Sequence, residues 1–510
     1  MTVSMSHPFI GGVVLDGHRE ISTRLPVARA PIPDELILPL SQHIGTAAKP
    51  IVKIGDTVEA NQLIAETQGL VSANIHAPVT ATVCAIEPRP IPHPSNLSAP
   101  CIVLKPNSNA QWPETEAKKI TREIISQIDP QDIRLAIRAA GIVGLGGAVF
   151  PTSVKVKSGI EHHIDTLIIN GCECEPWITC DEMLFRERPQ QVIAGACLLQ
   201  QAIKADKRVL AIESEEEQAI ANLRDAIVDC GDPIDLQIVE TIYPAGGERQ
   251  LIRRITGKEV PAGGLPADIG VAVYNAGTAA AVFRAVIQHQ PLTSRFVTIT
   301  GYGVKQPRVL EVLNGTPVAT LIEFCGGYTD DATGLIMGGS MMGVGLPNDR
   351  VPTTKAMNSL LVTTAAMTAD HQGEVPCIRC AACAAVCPAK LMPQQLFAYS
   401  RSGQLERAQR WHLESCIECG CCDVVCPSHI PLAAYFRHAK SEIRAQGTAR
   451  HKAQIAKQRF EARNARLEKA QRERAERLRK KKEALIANSS QDTRQSGDNM
   501  ANNETKIQSG

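Results

Sequence analysis

At 510 residues the chain is too long for one hydrophobic core, since domains average roughly 100–200 residues, and three or four domains are expected. Hydrophobic residues make up 44% and aromatics only 4%, so the cores must be built from Ile, Leu, Val and Ala. The net charge of +1 argues against a nucleic-acid partner, but it hides an asymmetry: Lys440 to Gly510 carries 18 Lys/Arg against 9 Asp/Glu, a net +9, which leaves −8 on the body.

Residues 1–35 read as an N-terminal arm. Met1–Glu20 lacks a basic segment followed by a long apolar run, so no export signal is expected. No stretch reaches the roughly 20 apolar residues that span a bilayer; Gly270–Ile287 comes nearest and is interrupted by Asn275 and Arg284. Seventeen Cys without an export signal suggest a reducing compartment, where thiols serve metals or catalysis more often than disulfides.

Residues 36–110 are rich in β-branched residues. Gly55-Asp-Thr-Val58, Gln62-Leu-Ile-Ala65 and His76-Ala-Pro-Val79 resemble a lipoyl-type barrel-sandwich. Such a domain carries a modifiable Lys at its hairpin tip. Residues 64–77 contain none, so an unmodified scaffold is expected.

Residues 111–290 hold four segments that suggest one nucleotide pocket. Asp132–Ala140, with Ile133, Ala136 and Ile137 on one face, predicts a helix. It runs into Gly141-Ile-Val-Gly144-Leu-Gly146-Gly147, followed by Lys155. Exposed N–H groups on such a loop can hold phosphate. The loop is not the dinucleotide fingerprint, which follows a strand. Thr166–Asn170 predicts a buried strand ending at Asn170, Glu173 and Glu175. Tyr243-Pro-Ala-Gly246-Gly247-Glu248 predicts a glycine turn opening a helix. Val271–Thr278 predicts a strand ending in Asn275 and Thr278. Turns explain each segment singly, but acidic and amide groups at strand carboxyl ends are where α/β sheets bind ligands.

Residues 291–345 suggest a small β-rich module, and 346–366 a linker, with Gly338–Gly343 as a structural turn. Residues 367–437 carry the strongest signal. Cys377-x₂-Cys380-x₂-Cys383-x₃-Cys387-Pro388 recurs as Cys416-x₂-Cys419-x₂-Cys422-x₃-Cys426-Pro427. This is the spacing of a two-[4Fe–4S] ferredoxin, in which the fourth Cys of each run serves the other cluster. The expected ligand sets are Cys377, Cys380, Cys383 and Cys426 for one cluster, and Cys416, Cys419, Cys422 and Cys387 for the other. Zinc sites pair C-x₂-C units across a longer loop, and two full four-Cys runs with trailing Pro speak against them. Cys421 falls outside the spacing and is expected to be unligated. Gln394–Glu414, between the runs, predicts a helix. Residues 438–510 predict a basic helix that gives way to disorder after Asn488, with attraction to anionic lipid as a further expectation.

The four pocket segments, in their order, resemble the flavin- and NADH-binding subunit of respiratory complex I. Joined to a double-cluster domain, they resemble the C subunit of the Rnf (Rsx) ion-translocating oxidoreductases; His7-Pro-Phe-Ile-Gly-Gly12 and His18 look like that family's start. The resemblance covers residues 7 to about 440. It implies a multidomain α/β chain: barrel-sandwich hybrid, Rossmann-like flavin domain, β-grasp module, helical double-[4Fe–4S] ferredoxin domain and a charged helical or disordered tail. It implies FMN and NADH near Gly144, Gly146, Gly147, Lys155, Asn170, Glu173, Glu175, Tyr243, Gly246, Gly247, Glu248, Asn275 and Thr278. It implies other subunits of a membrane complex as partners, and a peripheral place on the cytoplasmic face of the inner membrane. Two departures stand out: Leu145 replaces an Arg of the complex I loop, and Arg249 replaces the second of two Glu. The alternatives are a soluble diaphorase-type subunit of a hydrogenase or formate dehydrogenase, and a non-enzymatic relay with a vacant flavin pocket.

Overall fold

The computed structural model describes residues 7–504 except 94, 115–121, 233 and 369–372; side chains are described as far as Ser489. Its residues fall into two compact units, Met1–Phe436 and Arg437–Gly510.

Within the first unit, residues 36–106 fold as two small antiparallel sheets face to face. One orders Leu36–Pro39, Ser98–Pro106, Ala81–Pro90 and Thr57–Val58; the other orders Lys49–Pro50, Leu63–Glu66 and Ile75–His76. Leu36, Leu38, Ile64, Ile75, Val79, Ile102 and Leu104 are buried between them. Each such side chain contributes about 1.5–3 kcal/mol by leaving water, which lets a domain this small hold together.

The next domain is built on a four-stranded parallel sheet ordered Asp235–Val239, Lys207–Glu213, Thr166–Gly171, Val271–Asn275. The first strand in sequence, Thr166–Gly171, lies inside the sheet. Its successors extend one side before the chain crosses to place Val271–Asn275 on the other. In sheets with such a reversal, ligands bind in the crevice at the carboxyl ends of the two strands that flank it. The segment Gly270–Ile287, the most apolar in the chain, is divided between that strand and the helix Ala276–Ile287. Asn275 caps the helix, its side-chain oxygen accepting from Thr278 N. The expected helix before the glycine loop forms as Pro130–Ala139, N-capped by Asp129.

The third module is a six-stranded mixed sheet, and its membership corrects the expected boundaries. Segment 346–366 is no linker: Ser359–Thr364 lies inside the sheet, between Ser294–Thr300 and Ala332–Met337. All six of its residues are buried, and the apolar run Leu360-Leu-Val362 is too short to signal a strand by period alone. The arm also joins in, through Ala28–Arg29 on the edge strand Arg308–Leu313.

The Cys-rich domain corrects a second expectation. Gln394–Glu414 is not one helix. It breaks into Pro393–Arg401, Leu405–Arg410 and a short 3₁₀ turn at Leu413–Ser415, because the chain turns at Gly403 with φ +68°. Leu396, Phe397, Leu405, Ala408 and Leu413 still face inward.

A single helix, Leu432–Glu504, supplies the described part of the second unit. Helix persists beyond Asn488, where composition predicts disorder; extending an existing helix costs far less than starting one. No helix among the described residues is long and apolar enough to cross a membrane.

Candidate functional site: a glycine-loop crevice beside a double cysteine run

The glycine loop is pinned from three sides. Gly144 N donates to Phe150 O at 2.9 Å, Leu145 N donates to the buried Thr278 hydroxyl at 2.9 Å, and Arg295 donates to Leu145 O at 3.0 Å. Leu145 therefore serves the loop through its backbone, with its side chain buried. Gly146 packs against the Asn275 side chain. Gly147 has φ +98°, and a Cβ built there would meet nothing within 4 Å, so the loop faces open space at this point. Lys155, on the helix Thr152–Glu161, reaches over the Tyr274 ring at 5.2 Å to Glu248 Oε1 at 2.7 Å. The Tyr274 hydroxyl is buried without a hydrogen-bond partner. A glycine loop open to the crevice, a lysine over it and an orphaned buried hydroxyl suit a flavin phosphate.

The sequence-predicted residues do not all face this opening. Asn170 Nδ2 donates to Gly246 O at 2.8 Å, which ties the strand end to the second glycine turn, and Gly247 and Glu248 begin the helix Glu248–Thr256. Glu173 is turned inward: its carboxylate accepts from Glu182 N at 2.9 Å and the Cys180 thiol at 3.2 Å, and burial raises its pKa. Glu175 accepts from the backbone N–H groups of Met341 (3.0 Å) and Met342 (2.6 Å). The Gly338–Gly343 turn therefore has a defined task, to hold Glu175. Tyr243 points away from the opening, its hydroxyl donating to Cys419 O at 2.6 Å. Arg249 donates to the carbonyls of Val260, Pro261 and Gly264 at 3.1, 3.1 and 2.9 Å, so it braces a neighbouring loop.

Two groups escaped the sequence reading. Asp181 is hydrogen-bonded to the Asn275 amide, and burial, then the nearby Glu173, push its pKa up to about 8. Arg19 of the arm is buried among Glu182, Glu213 and Glu216, at 2.7 Å from Glu216 Oε1. Neither residue belongs to a local pattern; both are brought in from distant parts of the chain.

The two Cys runs repeat one backbone. Arg379 and Ala381 flank Cys380 with positive φ, and Glu418 and Gly420 flank Cys419 the same way. Each run continues into a one-turn helix, Ala382–Ala385 or Cys421–Val424. Cys387 lines one cavity together with Cys416, Cys419 and Cys422 of the other run. Cys383 has a raised pKa, through burial and then the nearby thiols of Cys380, Cys377 and Cys426. Cys387 thus neighbours the cysteines of the second run, and Cys426 neighbours Cys383 of the first. Cys421 also borders the cavity, with its thiol 3.8 Å from Tyr243 O. Cys377 and Cys380 are exposed, whereas Cys419 and Cys422 are buried.

The arm joins crevice to cysteines. Gly12 N donates to Val386 O at 2.8 Å, and Val13 and Tyr243 exchange backbone hydrogen bonds of 2.9 and 3.0 Å. Gly11 has φ +68°, and a Cβ there would stand 2.7 Å from Val386 O, so only glycine fits this crossing.

A flavin-type α/β domain joined to a double four-Cys domain defines a redox chain of the flavin/iron–sulfur class. Family models agree by region: residues 7–109 match the RnfC barrel sandwich hybrid domain, 137–284 the Nuo51 FMN-binding domain, 296–345 the SLBB domain and 375–430 a 4Fe-4S dicluster domain. The chain is 44% identical over 473 residues to RnfC of Pseudomonas aeruginosa, the C subunit of its ion-translocating oxidoreductase complex, covering 93% of this chain and 60% of that protein. It is 41% identical over 441 residues to the protein of the same name from Rhodobacter capsulatus, covering 86% and 84%. The chain belongs to the RnfC family, the C subunits of ion-translocating oxidoreductase complexes. It spans about 60% of the length of the Pseudomonas and Vibrio cholerae relatives. The cofactors of its modules are FMN and [4Fe–4S] clusters. Among solved structures, an NAD⁺-reducing [NiFe]-hydrogenase in the H₂-reduced state matches at 20% identity and a TM-score of 0.45, covering 64% of this chain and 63% of that one.

Proposed function

We propose that the chain is the electron-input subunit of a membrane-bound ion-translocating complex, taking electrons from NADH at the glycine-loop crevice and passing them through its clusters to membrane partners. The observation that carries this reading is the continuity of crevice and cluster domain. Asn170 bonds Gly246, Gly246 N donates to Cys174 Sγ at 3.2 Å, and Tyr243 on the same turn bonds Cys419. Bound FMN would supply the step between hydride, which carries two electrons, and clusters, which accept one at a time. The chain's own part is positional. Lys155 and the loop N–H groups favour phosphate, and Asn170 and Asn275 line the switch-point crevice beneath a Rossmann-like sheet. The second run is tied to the second glycine turn through Tyr243 and Cys419. Cys377 and Cys380 of the first run face outward, which suits electron exit to a partner. The six-stranded module, read as β-grasp, supports the glycine loop through Arg295.

The test is the purified full chain, assayed for iron, sulfide and flavin, then mixed with NADH without oxygen. Flavin bleaching followed by the spectra of reduced clusters is expected. Iron without flavin, and no response to NADH, would favour the relay alternative.

Localisation follows from the same reading: a peripheral subunit on the cytoplasmic face, released from membranes by high salt or alkaline washing. Retention until detergent is added would refute this. The exposed basic helix 450–489 suits anionic lipid, each basic residue near such a surface adding about 1 kcal/mol. Deleting residues 450–510 should weaken binding to phosphatidylserine vesicles and leave iron and flavin content intact. Equal vesicle binding would remove the lipid role.

A further inference from the structure

Tyr243 lies in the second glycine turn of the flavin domain, yet its side chain serves the other domain. The ring is 3% exposed. It packs with Cys419 and Cys421, and with the half-buried Cys174, Met341 and Ile417. Its hydroxyl donates at 2.6 Å to the carbonyl of Cys419, and its own carbonyl lies 3.8 Å from the Cys421 thiol. Its backbone is fixed on the far side by the paired bonds to Val13. A buried phenol needs a partner, and this one takes a peptide oxygen inside a cysteine run. In the same loop, Glu418 N donates to the ligand sulfur Cys416 Sγ at 3.4 Å. Among the described residues, no side chain donates to the carbonyl of Cys380, the matching position in the first run.

We propose that Tyr243 is a positioning residue for the cluster of the second run, and that its hydrogen bond to the Cys419 carbonyl raises that cluster's reduction potential relative to the first. The inference rests on the ligand sets and electron path proposed above. Its physical basis is cooperative. A donor on a peptide carbonyl polarises the peptide, holds the loop's N–H groups on their sulfur, and so favours the more negative, reduced cluster. The flavin-side turn would then set the potential of the cluster nearest to it, so that electrons leaving the crevice meet the better acceptor first.

The experiment is a redox titration followed by electron paramagnetic resonance, on the full chain with iron, sulfide and flavin quantified, in wild type and Tyr243→Phe. Cys416→Ser and Cys377→Ser assign each signal to a run. The expected result is a lower midpoint potential for the second-run cluster only, with first-run potential, iron content and FMN affinity unchanged. A packing role alone would lower iron content or thermal stability without moving one potential selectively. Two unchanged potentials in an iron-replete variant would overturn the proposal. So would a loss of FMN affinity with both potentials intact, which would return Tyr243 to the flavin site. Should Tyr243→Phe assemble no clusters, a fluorotyrosine placed at position 243 keeps the ring and makes its hydroxyl a stronger donor to the Cys419 carbonyl. It should raise the second-run potential only, and an unmoved potential there overturns the proposal. A chain that carries clusters but no flavin defeats the NADH reading, while the cluster titration still decides the role of Tyr243.

Discussion

Lys155 Nζ and Glu248 Oε1 lie 2.7 Å apart across the mouth of the crevice, one on the helix after the glycine loop and the other on the helix after the second glycine turn. Both side chains are partly exposed, at 32% and 43%, so the pair contributes at most about 1 kcal/mol to the fold. In the proposed flavin site, the pair keeps a cation where a phosphate can claim it. Lys155→Ala should weaken FMN binding at least about tenfold, near 1.4 kcal/mol, with thermal midpoint and iron content unchanged. Fluorescence titration with FMN is the measurement, and equal affinity would mean that the phosphate sits elsewhere. Glu248→Gln frees the same lysine and should not reduce FMN affinity.

Lys355 gives a prediction about pH. Its amine is buried without a carboxylate partner and donates to Asn74 O at 2.8 Å and Gly141 O at 2.7 Å, joining the barrel to the start of the glycine loop. Burial lowers its pKa from 10.5 to about 7. The titratable groups around it are His43 and His76, both favoured neutral by burial and by this lysine, and the charged Arg295, which donates to the Lys355 carbonyl. Between about pH 7 and 10.5 the unfolded chain keeps a proton that the folded chain has released. This residue therefore makes stability rise with pH across that window, and its full penalty applies below it. Lys355→Met should flatten the rise by up to one proton, about 1.4 kcal/mol per pH unit. It also strips two carbonyls of their donor, at about 1–3 kcal/mol each. Thermal midpoints of both proteins from pH 6.5 to 10 would test this, and parallel profiles would refute it.

Local patterns made much of this legible. The two Cys runs show in spacing alone, because three ligands of a cubane sit on one tight loop. The helix Pro130–Ala139 and the strands Thr166–Gly171 and Val271–Asn275 show in their periodicity. What stayed hidden depends on chain segments meeting from afar. Ser359–Thr364 became a strand because neighbours on both sides completed its hydrogen bonds, and nothing within six residues could announce that. Tyr243 was expected at the flavin because its turn is there; its side chain follows the space beside Cys419 instead. Glu173 and Glu175 had the right composition for a ligand edge, yet each finds backbone N–H partners inside the protein. A buried acid such as Asp181 leaves no trace in a single sequence, since its altered chemistry comes wholly from its surroundings.

Gly195 tests the packing of the flavin domain. It lies in the helix Pro189–Ile203 against the helix Ala276–Ile287, which carries Thr278 at its start. In an exposed helix, Gly→Ala stabilises by about 1 kcal/mol. Here a Cβ would stand 1.9 Å from the Ala279 carbonyl oxygen, so backbone must move. Gly195→Ala should destabilise by about 1–3 kcal/mol or more, and it should loosen FMN by shifting Thr278, which holds the glycine loop through Leu145 N. Chemical denaturation and FMN titration read the two effects. A stabilised variant would show that the helices do not approach so closely.

The last prediction concerns cluster wiring. Crossed ligation assigns Cys387 to the site of Cys416, Cys419 and Cys422, and Cys426 to that of Cys377, Cys380 and Cys383. Self-contained runs would assign each fourth Cys to its own loop. The cavity that Cys387 shares with the second run, and the closeness of Cys426 to Cys383, both favour the crossed version. The local reason is the one-turn helix after each run's loop. Ala382–Ala385 carries Cys387 away from Cys377 and Cys380 toward the pseudo-symmetric partner, and Cys421–Val424 does the same for Cys426. Cys387→Ala should therefore perturb the same cluster as Cys416→Ala and spare the one lost in Cys377→Ala. Iron counts and the resonance spectra of the reduced variants make the comparison. Exposure adds a further difference: Cys377 and Cys380 are exposed, so the first-run site should be the first to lose iron to a chelator. If Cys387→Ala instead reproduces the spectrum of Cys377→Ala, each run holds its own cluster and the crossed assignment is wrong.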